Sequence, residues 1–166
     1  VVADYRVVPL PQEIVSVDEA GFTLSASTPV VCVGDEMMQG NARFLVEYIK
    51  EKTGLELAVA EAPVSRAITL SLDESIDQAE GYRLVVNADG VEITGASPAG
   101  VFYGIQTLRK ALPVVEGKVV ELPAVNIVDY PRFGYRGAHL DVSRHYFTVD
   151  SIKRFVDMLA LHNMNR

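Results

Sequence analysis

The last part of the sequence combines an extended segment, a loop and an amphipathic helix, and this combination constrains the fold most strongly. The residues that carry the two patterns are Tyr135, Ala138, Leu140 and Val142 for a strand, and Ile152, Phe155, Val156, Leu159 and Asn163 for a helix that Thr148 caps. A parallel strand needs a neighbouring strand and cover on both faces of its sheet. We therefore expect this chain to be the front part of a longer protein, cut just inside its second domain.

A β-hairpin is predicted in the middle of the chain. Tyr82–Val86 and Val91–Thr94 are β-rich, and the Asn87–Gly90 turn between them contains Asp-Gly, a strong hairpin signal. Ser97 and Pro98 then provide an N-cap and a first helical residue, and Pro113 ends the predicted helix. Gly100 and Gly104 lie inside this helix, where glycine is unfavourable. We expect them to permit a close approach of the helix to a sheet.

The rest of the first 125 residues also alternates between strand and helix patterns. A helix is predicted over 36–52, capped by Asp35 and ended by Gly54. Strands are predicted over 22–25, 29–33, 55–59, 67–72 and 119–122. The predicted fold class is an α/β (α+β) sandwich. It has one mixed, largely antiparallel sheet with two helices on one face, followed by a truncated first βα unit.

Charge is distributed unevenly about residue 131, although the chain as a whole has a net charge of −7. Up to Pro131 there are 9 Lys and Arg against 19 Asp and Glu; from Arg132 onward there are 6 against 3. This shift predicts a domain boundary near residues 129–131, with domains at 1–129 and 130–166. Nucleic acid is not an expected partner, because phosphate binding needs clustered Lys and Arg. No apolar run is long enough to span a membrane.

The run Arg136–Phe147 reads Arg-Gly-x-x-Leu-Asp-Val-Ser-Arg-His-Tyr-Phe. Together with Ile152–Asn165, this run resembles the start of the catalytic barrel of family 20 glycoside hydrolases, the β-N-acetylhexosaminidases. Pro9-x-Pro11, Thr53-Gly54, Glu80–Tyr82 and Gly100–Leu108 resemble the small N-terminal domain of the same enzymes. Related small domains also precede the barrels of α-glucuronidases and O-GlcNAcases. The Arg136–Phe147 run favours the hexosaminidases.

The resemblance implies hydrolysis of terminal β-linked GlcNAc or GalNAc by substrate-assisted retaining catalysis, with no metal or organic cofactor. In the family, the catalytic Asp-Glu pair lies further along the barrel, so no catalytic residue is expected within these 166 residues and the chain alone is expected to be inactive. The family places the arginine of its Arg-Gly step on hydroxyls of the non-reducing sugar, which makes Arg136 the expected substrate-binding residue. The alternative role for Arg136 is a structural ion pair.

Barrel active sites lie at the carboxyl ends of the strands, which draws attention to Asp141, Arg144 and His145. We expect these three residues mainly to order the first barrel loop, with substrate contact as the alternative. Asp35-Glu36 and Asp73-Glu74 are Asp-Glu pairs, but they occur in cap and turn contexts and are not expected to be catalytic.

Two alternatives remain at this point. The chain could be a non-catalytic carbohydrate-binding or interaction domain, in which the sandwich acts alone. The residues after Pro131 could pack back on the sandwich, pair with a second copy or be mobile, since bare strand edges and exposed apolar residues favour association.

The family resemblance implies a glycan partner with terminal N-acetylhexosamine and a periplasmic or secreted location. Val1–Ala3 shows no signal peptide, which the resemblance would explain by its removal.

Overall fold

The computed structural model describes all residues, 1–166, as two compact units, Val1–Tyr130 and Pro131–Arg166. The strands are β1 Glu13–Ser16, β2 Phe22–Leu24, β3 Val30–Cys32, β4 Val59–Ala60, β5 Ala67–Leu72, β6 Tyr82–Asn87, β7 Gly90–Gly95, β8 Val120–Leu122 and β9 Val125–Asp129. The helices are α1 Glu36–Thr53, α2 Pro98–Ala111 and α3 Val149–Leu161. No helix is both long enough and apolar enough to cross a membrane.

The first unit is built on one mixed sheet of seven strands in the order β1-β9-β6-β7-β5-β3-β4. The ladders from β1 to β7 are antiparallel, and those from β7 to β4 are parallel. A separate two-stranded ladder joins β2 and β8. Along β6, Tyr82, Leu84 and Val86 are buried while Arg83 and Asn87 are exposed, so one face of the sheet carries the core. Helices α1 and α2 pack against each other and against this sheet, which confirms the predicted fold class.

Local capping signals define the two helices of this unit as predicted. The Asp35 carboxylate accepts the Met38 amide at 3.0 Å, and Gly54 ends α1 in a left-handed conformation with φ 70°. The Ser97 hydroxyl accepts the Gly100 amide at 3.3 Å at the start of α2, and Pro98 occupies its first turn.

Gly104 and Gly100 place α2 close to the sheet, as the sequence predicts. A Cβ on Gly104 would lie 2.5 Å from the Ile93 side chain, and one on Gly100 would collide with the Gly81 carbonyl oxygen. The short distance between helix and sheet lets Tyr82 reach α2, where its hydroxyl bonds with that of Thr107 at 2.5 Å. The cost of glycine in a helix is therefore offset by close packing.

A polar cluster fixes the end of β9. The Tyr82 hydroxyl donates to the Asp129 carboxylate at 2.9 Å, and the same carboxylate accepts the amides of Gln12 and Tyr130 at 3.1 and 2.9 Å. Burial raises the pKa of both Tyr82 and Asp129. The cluster joins the N-terminal segment, β6 and the last residues of the first unit.

Two strand predictions need correction, and two strands of the structure were not predicted. The predicted strand 55–59 is reduced to Val59–Ala60, because the Leu55 amide bonds to the Thr53 hydroxyl at 3.2 Å and continues the helix end rather than a ladder. The sequence patterns predicted no strand at Glu13–Ser16 or Val125–Asp129, where the structure has β1 and β9. The predicted strand 135–142 is not a regular strand in the structure.

Two helical glycines provide a matched test of the α2 contact. Gly104→Ala should lower the free energy of unfolding by about 1–3 kcal/mol through overpacking against Ile93. Gly40→Ala in α1 should raise it by about 0.5–1 kcal/mol, because alanine loses less backbone entropy. At Gly40 the nearest atom to an added Cβ is an Arg43 nitrogen at 3.7 Å, so the methyl group fits.

Urea denaturation followed by circular dichroism measures both changes. Equal effects of the two substitutions would contradict the close approach of α2 to the sheet.

Candidate substrate-binding site

Arg136 lies in an extended segment of the second unit, beside the last residues of the chain. The amides of Asn165 and Arg166 donate to the Arg136 carbonyl at 2.8 and 3.0 Å, and the Ala138 amide donates to the Arg166 carbonyl at 3.3 Å. The two segments run in the same direction and flank α3 in the sequence. The sequence reading assigned no neighbour to this segment, and the structure places 165–166 there.

The Arg136 side chain is held by carbonyl oxygens on both sides. Its Nε donates to the Asn163 carbonyl at 2.8 Å, and its Nη1 donates to the Phe133 carbonyl at 2.8 Å. The residue is half-buried. These two bonds orient the plane of the guanidinium group, whose five donors form a rigid fork.

Asn163 makes this arrangement geometrically possible. Helix α3 ends at Leu161, and Asn163 has φ 58°, a left-handed conformation that asparagine tolerates better than most residues. The sequence pattern had placed Asn163 on the helix itself, which is wrong. The left-handed residue turns the chain back, so that Met164–Arg166 return alongside Arg136.

Asn165 holds the main chain around Arg136 through its side-chain amide. Its Oδ1 accepts the Arg136 amide at 3.0 Å, and its Nδ2 donates to the Gly134 carbonyl at 2.9 Å. Gly137 keeps the neighbouring segments close, since a Cβ there would lie 2.7 Å from the Arg166 carbonyl oxygen. Sequence reasoning missed the role of Asn165. The local signal for a chain reversal was the pair of asparagines, Asn163 and Asn165, at and just after the end of the predicted helix, since asparagine often ends a helix in a left-handed conformation.

Asp141 organises the loop that follows the extended segment. Its Oδ1 accepts the amides of Ser143 and Arg144 at 2.9 and 3.1 Å, and its Oδ2 lies 3.0 Å from the Arg144 Nε. The Arg144 side chain is 86% exposed, and His145 is also exposed. The structure thus brings Asp141 and Arg144 together in one turn, with His145 immediately after it.

The aspartates of the two Asp-Glu pairs in the first unit, Asp35 and Asp73, have structural partners. Asp35 caps α1, as described above. Asp73 accepts the hydroxyl and amide of Ser75 and pairs with Arg83 at 2.6 Å, and these contacts lower the pKa of Asp73 to about 2. A carboxyl group with so low a pKa is unsuited to act as a general acid near neutral pH.

Much of the apolar surface of the second unit is exposed. No residue of α3 is buried, and Tyr135, Tyr146 and Val149 are 75%, 86% and 65% exposed. Residues 132–166 contain three aspartates and no glutamate. Among these residues, Arg136 has a guanidinium group that is oriented by two carbonyl oxygens.

Comparison with known proteins identifies two parts of one enzyme family. The sequence model of glycosyl hydrolase family 20, domain 2, matches residues 4–130. The sequence model of the glycosyl hydrolase family 20 catalytic domain matches residues 133–166.

Individual relatives match the chain across both of these ranges. A beta-hexosaminidase of Porphyromonas gingivalis is 35% identical over 97% of this chain, which covers 22% of that protein. A beta-N-acetylhexosaminidase of Cellulomonas fimi is 30% identical over 98% of this chain, which covers 33% of that protein. The chain thus spans about a fifth to a third of the length of these relatives.

Solved structures show the same fold. The GH20 beta-N-acetylhexosaminidase of Streptomyces coelicolor A3(2) superposes with a TM-score of 0.88 at 33% identity, over 97% of this chain and 33% of that one. A mutant Streptomyces plicatus beta-hexosaminidase in complex with its product GlcNAc gives a TM-score of 0.86 at 32% identity, with the same coverage. The chain belongs to glycosyl hydrolase family 20.

Proposed function

We propose that this chain is the N-terminal part of an exo-acting β-N-acetylhexosaminidase, which removes terminal β-linked GlcNAc or GalNAc from glycans. The observation that carries the proposal is the oriented Arg136 guanidinium within the segment that matches the family's catalytic domain. A related structure that contains GlcNAc as product supports the substrate class.

In this proposal residues 1–129 form an accessory domain and residues 130–166 form the first βα unit of a (β/α)8 barrel. The support is the order of an extended segment, α3 and a returning segment that runs parallel to the first. The remaining barrel strands would cover the exposed apolar residues of α3, as the helices and strands of such barrels cover each other.

Arg136 would bind hydroxyl groups of the non-reducing sugar and so fix the position of its anomeric carbon. The 2-acetamido oxygen of the substrate would then attack that carbon, while a glutamic acid protonates the leaving oxygen and an aspartate holds the acetamido group. Both carboxyl groups would come from barrel residues outside these 166. Asp141, Arg144 and His145 would mainly order the first barrel loop, as the contacts between Asp141 and Arg144 support.

We also propose that the parent enzyme acts in the periplasm or outside the cell, where it would meet glycans. Cell fractionation tests the location, and hexosaminidase activity confined to the cytoplasm would contradict it.

A comparison of this chain with the longer polypeptide that carries it tests the proposed function. The longer form should release nitrophenol from a chromogenic β-GlcNAc substrate, and the 166-residue chain should not, because it lacks the general acid. Activity of the short chain would require a catalyst among its own residues, and Asp141 would be the first to re-examine. Inactivity of both forms would favour the carbohydrate-binding or interaction domain instead.

Light scattering on the short chain accompanies this assay. The exposed apolar residues of 131–166 should promote association between copies at high concentration. A strictly monomeric chain over the whole concentration range would contradict that expectation.

A further prediction concerns Arg136 in the longer enzyme. Arg136→Met should lower kcat/KM by about 10- to 100-fold, because one or two charge-assisted hydrogen bonds to the sugar are lost. Arg136→Lys should recover only part of the activity, since an ammonium group lacks the planar fork.

Arg154→Met, which removes an exposed arginine of α3, is the matched control and should leave kcat/KM nearly unchanged. Equal losses in the Arg136 and Arg154 variants would argue against a sugar-binding role for Arg136.

A further inference from the structure

The side chain, the carbonyl and the main-chain amide of Arg136 are each hydrogen-bonded to one short segment, Asn163–Asn165. The Asn163 carbonyl accepts a hydrogen bond from the Arg136 side chain. The Asn165 main-chain amide donates to the Arg136 carbonyl, and the Asn165 side-chain oxygen accepts from the Arg136 main-chain amide. The backbone and the guanidinium group are thus tied to the same few residues. A movement of this segment would therefore disturb the orientation of the guanidinium group.

The Asn165 side chain uses both halves of its amide. Its oxygen accepts from Arg136 and its nitrogen donates to Gly134, two residues earlier. In an extended segment, residues two apart have backbone groups that point to the same edge. One primary amide can therefore bridge them, whereas an ionised carboxylate is only an acceptor and would leave the Gly134 carbonyl without this donor.

The backbone conformation of Asn163 aims its carbonyl at the Arg136 Nε. With φ 58°, this residue is in the left-handed region, which asparagine and glycine tolerate and alanine disfavours. The position of the carbonyl is therefore set by the backbone and not by a mobile side chain.

We propose that Asn165 is a positioning residue for substrate binding, which acts by holding Arg136 in the orientation that receives the sugar. Asn163 supports it through its carbonyl. This inference rests on the sugar-binding role of Arg136 proposed above. Its physical basis is pre-organisation: a group held within a fraction of an ångström of its productive position binds and reacts better than a mobile one.

A double-mutant cycle in the longer enzyme tests this inference. Asn165→Ala should lower kcat/KM by about 10-fold or more, through misplacement of Arg136. In an Arg136→Met background the same substitution should have little further effect, because the group that Asn165 positions is already gone. Asn165→Asp should fall between wild type and Asn165→Ala, since it retains the acceptor for the Arg136 amide.

Asn126→Ala, at an exposed residue of β9, is the control and should leave kcat/KM unchanged in both backgrounds. Thermal unfolding of each variant is recorded in parallel. If Asn165→Ala fails to fold, the cycle is read from Asn165→Asp, which conserves the size of the side chain.

The outcomes separate the two proposals. An inactive wild-type enzyme would overturn the proposed function and this inference with it. An active enzyme that loses activity with Arg136→Met but not with Asn165→Ala would overturn the inference alone. A loss with Asn165→Ala that is equally large in the Arg136→Met background would also overturn it, because Asn165 would then act independently of Arg136.

Discussion

The left-handed turn at Asn163 is the constraint on which the second unit depends. It ends α3 and sends the chain back beside residues 136–138, so that Asn165 and Arg166 bond to Arg136. Without this reversal neither the main-chain bonds nor the Asn163 carbonyl would reach the arginine. The turn therefore determines both the local fold and the direction of the guanidinium group. The same hydrogen bonds that hold the second unit together therefore also orient the proposed sugar-binding group.

The first unit depends on a different constraint, the close contact of α2 with the sheet. Gly104 and Gly100 allow it, and the Tyr82 hydroxyl uses it to bond with both Thr107 and Asp129. Of the two Asp-Glu pairs in this unit, Asp35 caps α1, and Asp73 bonds to Ser75 and pairs with Arg83. We therefore regard the first unit as a scaffold, and we place the proposed chemistry in the segment after it.

Local signals account for the features that the sequence predicted well. Asp35, Gly54 and Ser97 act through contacts a few residues away, so their roles can be inferred from short windows. Strand β9 could not be found in this way, because Val125–Asp129 becomes a strand of the sheet only through pairing with β1 and β6. Leu55 looked like a strand residue, but the nearby Thr53 hydroxyl takes its amide.

The same distinction applies to the candidate site. Arg136 was found because its Arg-Gly step resembles a family motif, yet its partners lie 27 and 29 residues away at Asn163 and Asn165. No periodicity or spacing encodes such contacts. The structure was needed to show that the end of α3 and the extended segment form one unit.

A crystal structure of the longer enzyme with bound GlcNAc would test the account most directly. The account predicts that Arg136 nitrogen atoms lie within hydrogen-bonding distance of sugar hydroxyls, while its Nε still donates to the Asn163 carbonyl. A sugar bound with the Arg136 guanidinium turned away from it, or with the bond to Asn163 broken, would contradict the account.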